Sequence, residues 1–175
     1  MNALLRHFRA LVLARLGPQD MPDSAALMGM LLAVNLPLHT LLTLEVFPEV
    51  WRALVAELLD LGLGAGLLFA ALQVRGHPGR WRQTYIALLG MGALFGVVAL
   101  VYRLLALALG LEPLADLLDL LLLFWSLLVM GHILRQALEI PLLLAILIAV
   151  AYTMFLLGLL AQLLLPEAAG QPVFE

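Results

Sequence analysis

The chain has 175 residues, 65% of them hydrophobic and 12% charged, with a net charge of −3 and no cysteine. Soluble domains are about 45–50% apolar and about 25% charged, so a chain this short cannot hide its apolar surface from water, and lipid is the expected solvent for most of it. The missing cysteines exclude disulfides and thiolate chemistry, and nine scattered arginines exclude a nucleic-acid surface.

The first segment, MNALLRHFRALVLARLGPQD, carries Arg6, Arg9 and Arg15 among apolar residues. A signal peptide would keep its charge ahead of one unbroken apolar stretch. Leu4, Leu5, Phe8, Leu11, Val12 and Leu16 instead predict one face of an amphipathic helix lying on a membrane surface, with a cytosolic lead-in as the alternative. Five windows then meet the length of roughly 20 apolar residues that a span needs: Ser24–Leu44, Leu54–Val74, Thr84–Leu109, Leu114–Leu134 and Ile140–Leu165. Asp23 or Ser24 caps the first, Gly76, Pro78 and Gly79 turn the chain after the second, and Gly110 and Pro113 divide the third from the fourth. Pro141 suits the first turn of the fifth. The expectation is an all-α polytopic membrane protein of five transmembrane helices with an N-terminal interfacial amphipathic helix. Residues 1–20 form the cytosolic or interfacial segment, 21–166 the membrane domain and 167–175 a short exterior tail.

Arginine asymmetry sets the orientation. Arg6, Arg9, Arg15, Arg75, Arg80, Arg82 and Arg135 fall on one side of an odd-spanned bundle. Arg52 and the acids Glu45, Glu49, Glu112, Glu167 and Glu175 fall on the other. This predicts a cytoplasmic N-terminus and an exterior C-terminus, in a bacterial inner membrane, with Trp51 and Trp81 near the two interfaces.

Inside the spans a polar layer is expected. Glu57-Leu58-Leu59-Asp60 returns as Asp116-Leu117-Leu118-Asp119, and the same offset takes Arg103 to Gln162, the pattern of a tandem repeat of helix pairs. At 1.5 Å per residue, Asp60, Asp119 and Arg103 each lie roughly 9 Å below the outer ends of their windows. His39 and Gln162 fall near the same level, with Asn35 one turn deeper. Arg103 is the sole base at that depth, so Asp60 and Asp119 are its candidate partners. Pairing lowers a cost of about 2.5–3.5 kcal/mol per charge at the bilayer centre. Glu57 and Asp116 are expected to snorkel to the headgroups. The layer serves either as a structural ion-pair network or as an outward-facing pocket of Asn35, His39, Asp60, Arg103, Asp119 and Gln162. Its excess of acid favours a cation or proton, because one aspartate can stay protonated. Pro37 removes a backbone hydrogen bond and is expected to kink the first helix, as a gate or as an ordinary feature of a membrane helix.

Gly62 with Gly66 and Gly92 with Gly96 have small-residue packing spacing. They predict close approach of the second and third helices, or a dimer face. No metal, nucleotide or nucleophile motif occurs: Ser126 has only distant His132 on its helix. No cofactor, metal or catalytic residue is assigned.

Phe124-Trp125-Ser126-Leu127-Leu128, then Gly131, Arg135 and Ala137-Leu138, lead into the last apolar helix. This stretch, with the five-span outline, resembles the Yip family, the Ypt/Rab-interacting membrane proteins and their bacterial relatives. The aspartate-leucine-glycine-proline signature of the eukaryotic trafficking members is missing from the N-terminal region. The resemblance implies an integral membrane protein that self-associates and organises partners or lipids. The expected function is a non-enzymatic membrane scaffold or accessory subunit. The alternative is a small transporter, channel or lipid-handling protein using the polar pocket. Membrane lipids and another membrane protein or a second copy are the expected partners.

Overall fold

Ser24 is extended, and its hydroxyl accepts the N–H of Leu27 at 3.2 Å. This satisfies one of the free donors that open a helix and starts α1 (Ala25–Thr43). In the computed structural model, which describes residues 17–164, four more long helices follow: α2 (Val50–Val74), α3 (Trp81–Leu109), α4 (Glu112–Leu138) and α5 (Leu142–Leu164). Two short 3-10 turns, Pro18–Asp20 and Pro78–Arg80, precede α1 and α3. No strand occurs among the described residues. Residues 1–16 and 165–175 lie outside the described residues, and with them most of the expected amphipathic segment and the whole of the tail. All five helices are long and apolar enough to cross a membrane.

Three helices differ from their expected windows by about a turn at an end. α2 begins at Val50 rather than Leu54, α3 at Trp81 rather than Thr84, and α4 runs from Glu112 to Leu138 rather than Leu114 to Leu134. Hydropathy marks the lipid-immersed part of a helix, and these ends carry Arg, Gln and Glu that extend it into the polar zone. α1 continues through Pro37 without interruption. Gly110 closes α3 in the left-handed conformation at φ 66°, which glycine adopts without penalty. Glu139 does the same for α4 at φ 53°.

α3 is the central helix. Its apolar window is 56% buried, against 11–22% for the other four. Tyr85, Ile86, Leu89 and Phe95 of α3 meet Ile133 and Ala137 of α4, Ala145 and Ala149 of α5, Leu31 of α1, and Leu68 and Leu72 of α2. The outward faces are oily: Leu107 and Leu143 are each 70% exposed. In water such a surface would drive association; in lipid it is the solvated face.

The end of the bundle where α2 and α4 finish is rich in arginine. Arg75 Nε donates to the Leu138 carbonyl at 2.9 Å and Nη2 to that of Glu139 at 3.3 Å, closing the exposed carbonyls of α4. Arg80 Nη1 lies 2.7 Å from Glu139 Oε1 and His77 Nε2 3.5 Å from Oε2. The Arg80 hydrogen bond, followed by the charge of His77, holds the Glu139 carboxyl below its ordinary value. Arg82 pairs with Asp23 at 2.9 Å. Trp81, expected at the interface, reaches inward: its Nε1 donates to the Ala65 carbonyl at 3.0 Å and its ring stacks on Tyr85.

Candidate functional site

Along α2, Glu57, Asp60 with Leu61, Gly64, Leu68 and Ala71 follow one another at three- and four-residue steps and so share one face. That face lines a cavity of about 1140 Å³ bounded by all five helices. It is larger than the roughly 300–1,000 Å³ typical of small-molecule pockets. α2 packs along α1 and meets α3, α4 and α5 sparsely, leaving the space open. On α4 the lining runs from Asp116 to Leu138, about 33 Å of helix and comparable with the roughly 30 Å hydrocarbon core of a bilayer.

The polar groups gather toward the end where α3 finishes and α4 starts. Arg103 holds Asp119 bidentately, Nε to Oδ1 at 3.1 Å and Nη2 to Oδ2 at 2.8 Å, and its Nη1 meets Glu45 Oε2 at 2.5 Å. The Tyr102 hydroxyl also donates to Asp119. The planar guanidinium matches a carboxylate fork, and four polar groups share one site.

Asp60 takes a different partner. Tyr152 of α5 donates its hydroxyl to the Asp60 carboxylate and backbone carbonyl, the latter at 3.0 Å. Because α2 begins at Val50, Asp60 lies about 15 Å from its helix end and Asp119 about 10 Å from the start of α4. The single expected layer is therefore divided. Asn35 and His39 are deeper still relative to Arg103: His39 Nε2 contacts the Gly92 carbonyl at 3.1 Å, and Gly92 is about 16 Å below Arg103 along α3. Asn35, 3% exposed, donates to the carbonyls of Leu31 and Leu89 at 2.8 and 3.0 Å. α1 ends short of α3, so depths counted from each helix's own end do not share a zero. Gln162 is exposed and does not line the cavity.

Glu57, expected to snorkel outward, is only 6% exposed and lines the cavity. It makes no hydrogen bond to another described residue. Asp116 remains exposed at the cavity's polar end.

The glycines also divide. A Cβ on Gly92 would stand 2.8 Å from Asn35 Oδ1, and one on Gly96 2.8 Å from Leu38 Cδ2. These two seat α3 against α1, not against α2. A Cβ on Gly62 or Gly66 would meet no atom of another element within 4 Å among the described residues. Gly131 is the contact glycine of α4 with α5. The two proposed repeat units thus pack differently, α4 and α5 tightly, α2 and α3 around the cavity.

The tyrosines were not singled out from the sequence. The chain has three: Tyr85 and Tyr152 line the cavity, with their hydroxyls on the Leu61 carbonyl at 2.9 Å and on Asp60, and Tyr102 reaches the lining residue Asp119. Tyrosine favours the membrane interface, so three inside the apolar windows were a signal of polar partners there. Ser126 donates to the Leu123 carbonyl of its own helix at 2.8 Å. Among the described residues no three His, Asp or Glu side chains converge at metal-binding distance. Compared with known protein families, curated proteins and solved structures, the chain matches none.

Proposed function

We propose that the protein is an integral membrane protein that holds an amphiphile inside its helical bundle, as a lipid-handling protein or small transporter without enzymatic chemistry. The observation that carries this is the cavity: long, mostly apolar, with its charged side chains toward one end. Its shape is that of a molecule with a headgroup and a hydrocarbon tail. Its lining residues on α3 and α4 reach depths where only lipid-like compounds have ready access. The test is lipid analysis of the full-length protein purified in mild detergent. About one amphiphile per chain is expected to co-purify, and Leu122→Trp, which fills the lining, is expected to release it while the thermal transition is retained. Equal lipid content in both proteins would overturn the proposal.

The membrane is a bacterial inner membrane in this reading, with the arginine end cytoplasmic. Arg75, Arg80, Arg82 and Arg135 cluster at that end, as the positive-inside rule requires. The chain has no cysteine, so Gly79→Cys and Leu111→Cys each introduce a single thiol. An impermeant maleimide added to intact cells is expected to label Leu111→Cys and spare Gly79→Cys. The reverse pattern inverts the topology.

A second reading, a self-associating scaffold as the Yip resemblance implies, is favoured by Gly62 and Gly66. Their spacing suits close helix approach, yet among the described residues nothing occupies that face.

A further inference from the structure

We infer that the occupant of this cavity carries a cationic headgroup, an alkylammonium, seated against Glu57 and Asp60 with its chain directed toward Leu138. This rests on the amphiphile reading and adds the charge of the ligand.

The charge inventory is one-sided. Glu57, Asp60, Asp116 and Asp119 line the cavity, with Arg103 as the one permanent cation among the lining residues described. Arg103 is already neutralised by two carboxylates. Nε and Nη2 are taken by Asp119 and Nη1 by Glu45. An anionic headgroup would compete with Asp119 and Glu45 for the guanidinium and face three further carboxylates, Glu57, Asp60 and Asp116.

Glu57 is the second observation. It is 6% exposed, faces the cavity and has no hydrogen-bond partner among the described residues. An ionised carboxylate without a partner in such surroundings is costly, and an entering cation removes that cost. Asp60, one helical turn further along the same face, has only the Tyr152 hydroxyl on its carboxylate and retains acceptor capacity. The rings of Tyr85, Tyr152 and Phe155 also border the space, and aromatic faces attract ammonium groups. Beyond them the lining is Leu67, Leu88, Leu122, Leu134 and Leu138, a surface for an alkyl chain and for nothing charged.

Three photoactivatable probes test this: hexadecyltrimethylammonium, hexadecanol and palmitate, each with a diazirine in the chain. They are cross-linked to the full chain in nanodiscs of neutral phosphatidylcholine, and the adducts mapped by mass spectrometry. The ammonium is expected to label cavity residues about tenfold more than palmitate and severalfold more than hexadecanol. Glu57→Gln is expected to remove the excess over hexadecanol and leave hexadecanol labelling unchanged. If that variant does not fold, the ranking of the three probes on the unaltered protein decides alone. Equal labelling by ammonium and alcohol, or a lead for palmitate, overturns the cationic assignment and leaves the amphiphile cavity standing. Labelling by no probe above that of the surrounding lipid overturns both.

Discussion

Arg103→Met is expected to destabilise the bundle by about 3–5 kcal/mol, the cost of leaving a desolvated carboxylate without its partner. The Arg103 and Asp119 side chains are 24% and 31% exposed, and the second lies about 10 Å inside α4. Removing the guanidinium deletes both bonds to Asp119 and leaves it with the Tyr102 hydroxyl alone. Glu45 is 63% exposed, so Glu45→Gln is expected to cost only about 0–1 kcal/mol. Arg103→Met with Asp119→Leu is expected to recover most of the loss, because replacing both members of a buried pair by apolar groups is often neutral. Unfolding in mixed micelles by titration with dodecyl sulfate measures all three. Arg103→Met no more damaging than Glu45→Gln would show that the pair does not secure α3 to α4.

The sequence made the membrane character and the number of helices legible for a simple reason. Hydropathy averaged over a span is a sum of many small terms, and Pro and Gly punctuate it locally. Arg103 with Asp119 was legible too, since one base among acids in lipid leaves few choices. Asp60 departs from the expected pairing because the end of an apolar window does not mark the end of its helix. α2 starts a turn earlier, at Val50, and one helical turn suffices to exchange an arginine partner for a tyrosine. Glu57 departs from the expected snorkelling for a related reason. Snorkelling explains an acid near a helix end only if the side chain points outward. Rotation about the helix axis is set by tertiary contacts of Ala53 and Ala56 with Phe47 and Leu164, which no local pattern displays.

The glycine pairs show the same limit from another direction. Spacing identifies small faces without naming what each one faces. Gly92 and Gly96 meet α1, where the Asn35 and His39 side chains bond the carbonyls of Leu89 and Gly92. Close approach by glycine is what lets those short polar side chains reach backbone carbonyls. On α2, the carbonyls of Asp60, Leu61 and Ala65 receive Tyr152, Tyr85 and Trp81. Long aromatic side chains do there what direct helix contact does between α1 and α3, and they hold α2 at the distance that leaves the cavity.

Gly131→Leu is the sharpest test of that contrast. A Cβ at Gly131 would lie 2.6 Å from Ile146 Cγ1 and 3.2 Å from the Ile146 Cα and N atoms. The backbone of α5 cannot yield as a side-chain tip would, so the two helices must separate. Overpacking of this kind costs about 1–3 kcal/mol, with the upper end expected here because the leucine branch extends past the Cβ. Gly62→Leu adds the same side chain where a Cβ meets nothing within 4 Å among the described residues and is expected to leave the unfolding transition of the isolated chain unchanged. Dodecyl sulfate titration of dilute protein compares the two. A loss at Gly62 that grows with protein concentration would place a second chain against α2, whereas a loss at Gly62 equal to that at Gly131 and independent of concentration would mean that α2 closes onto a neighbouring helix and that the cavity does not stay open.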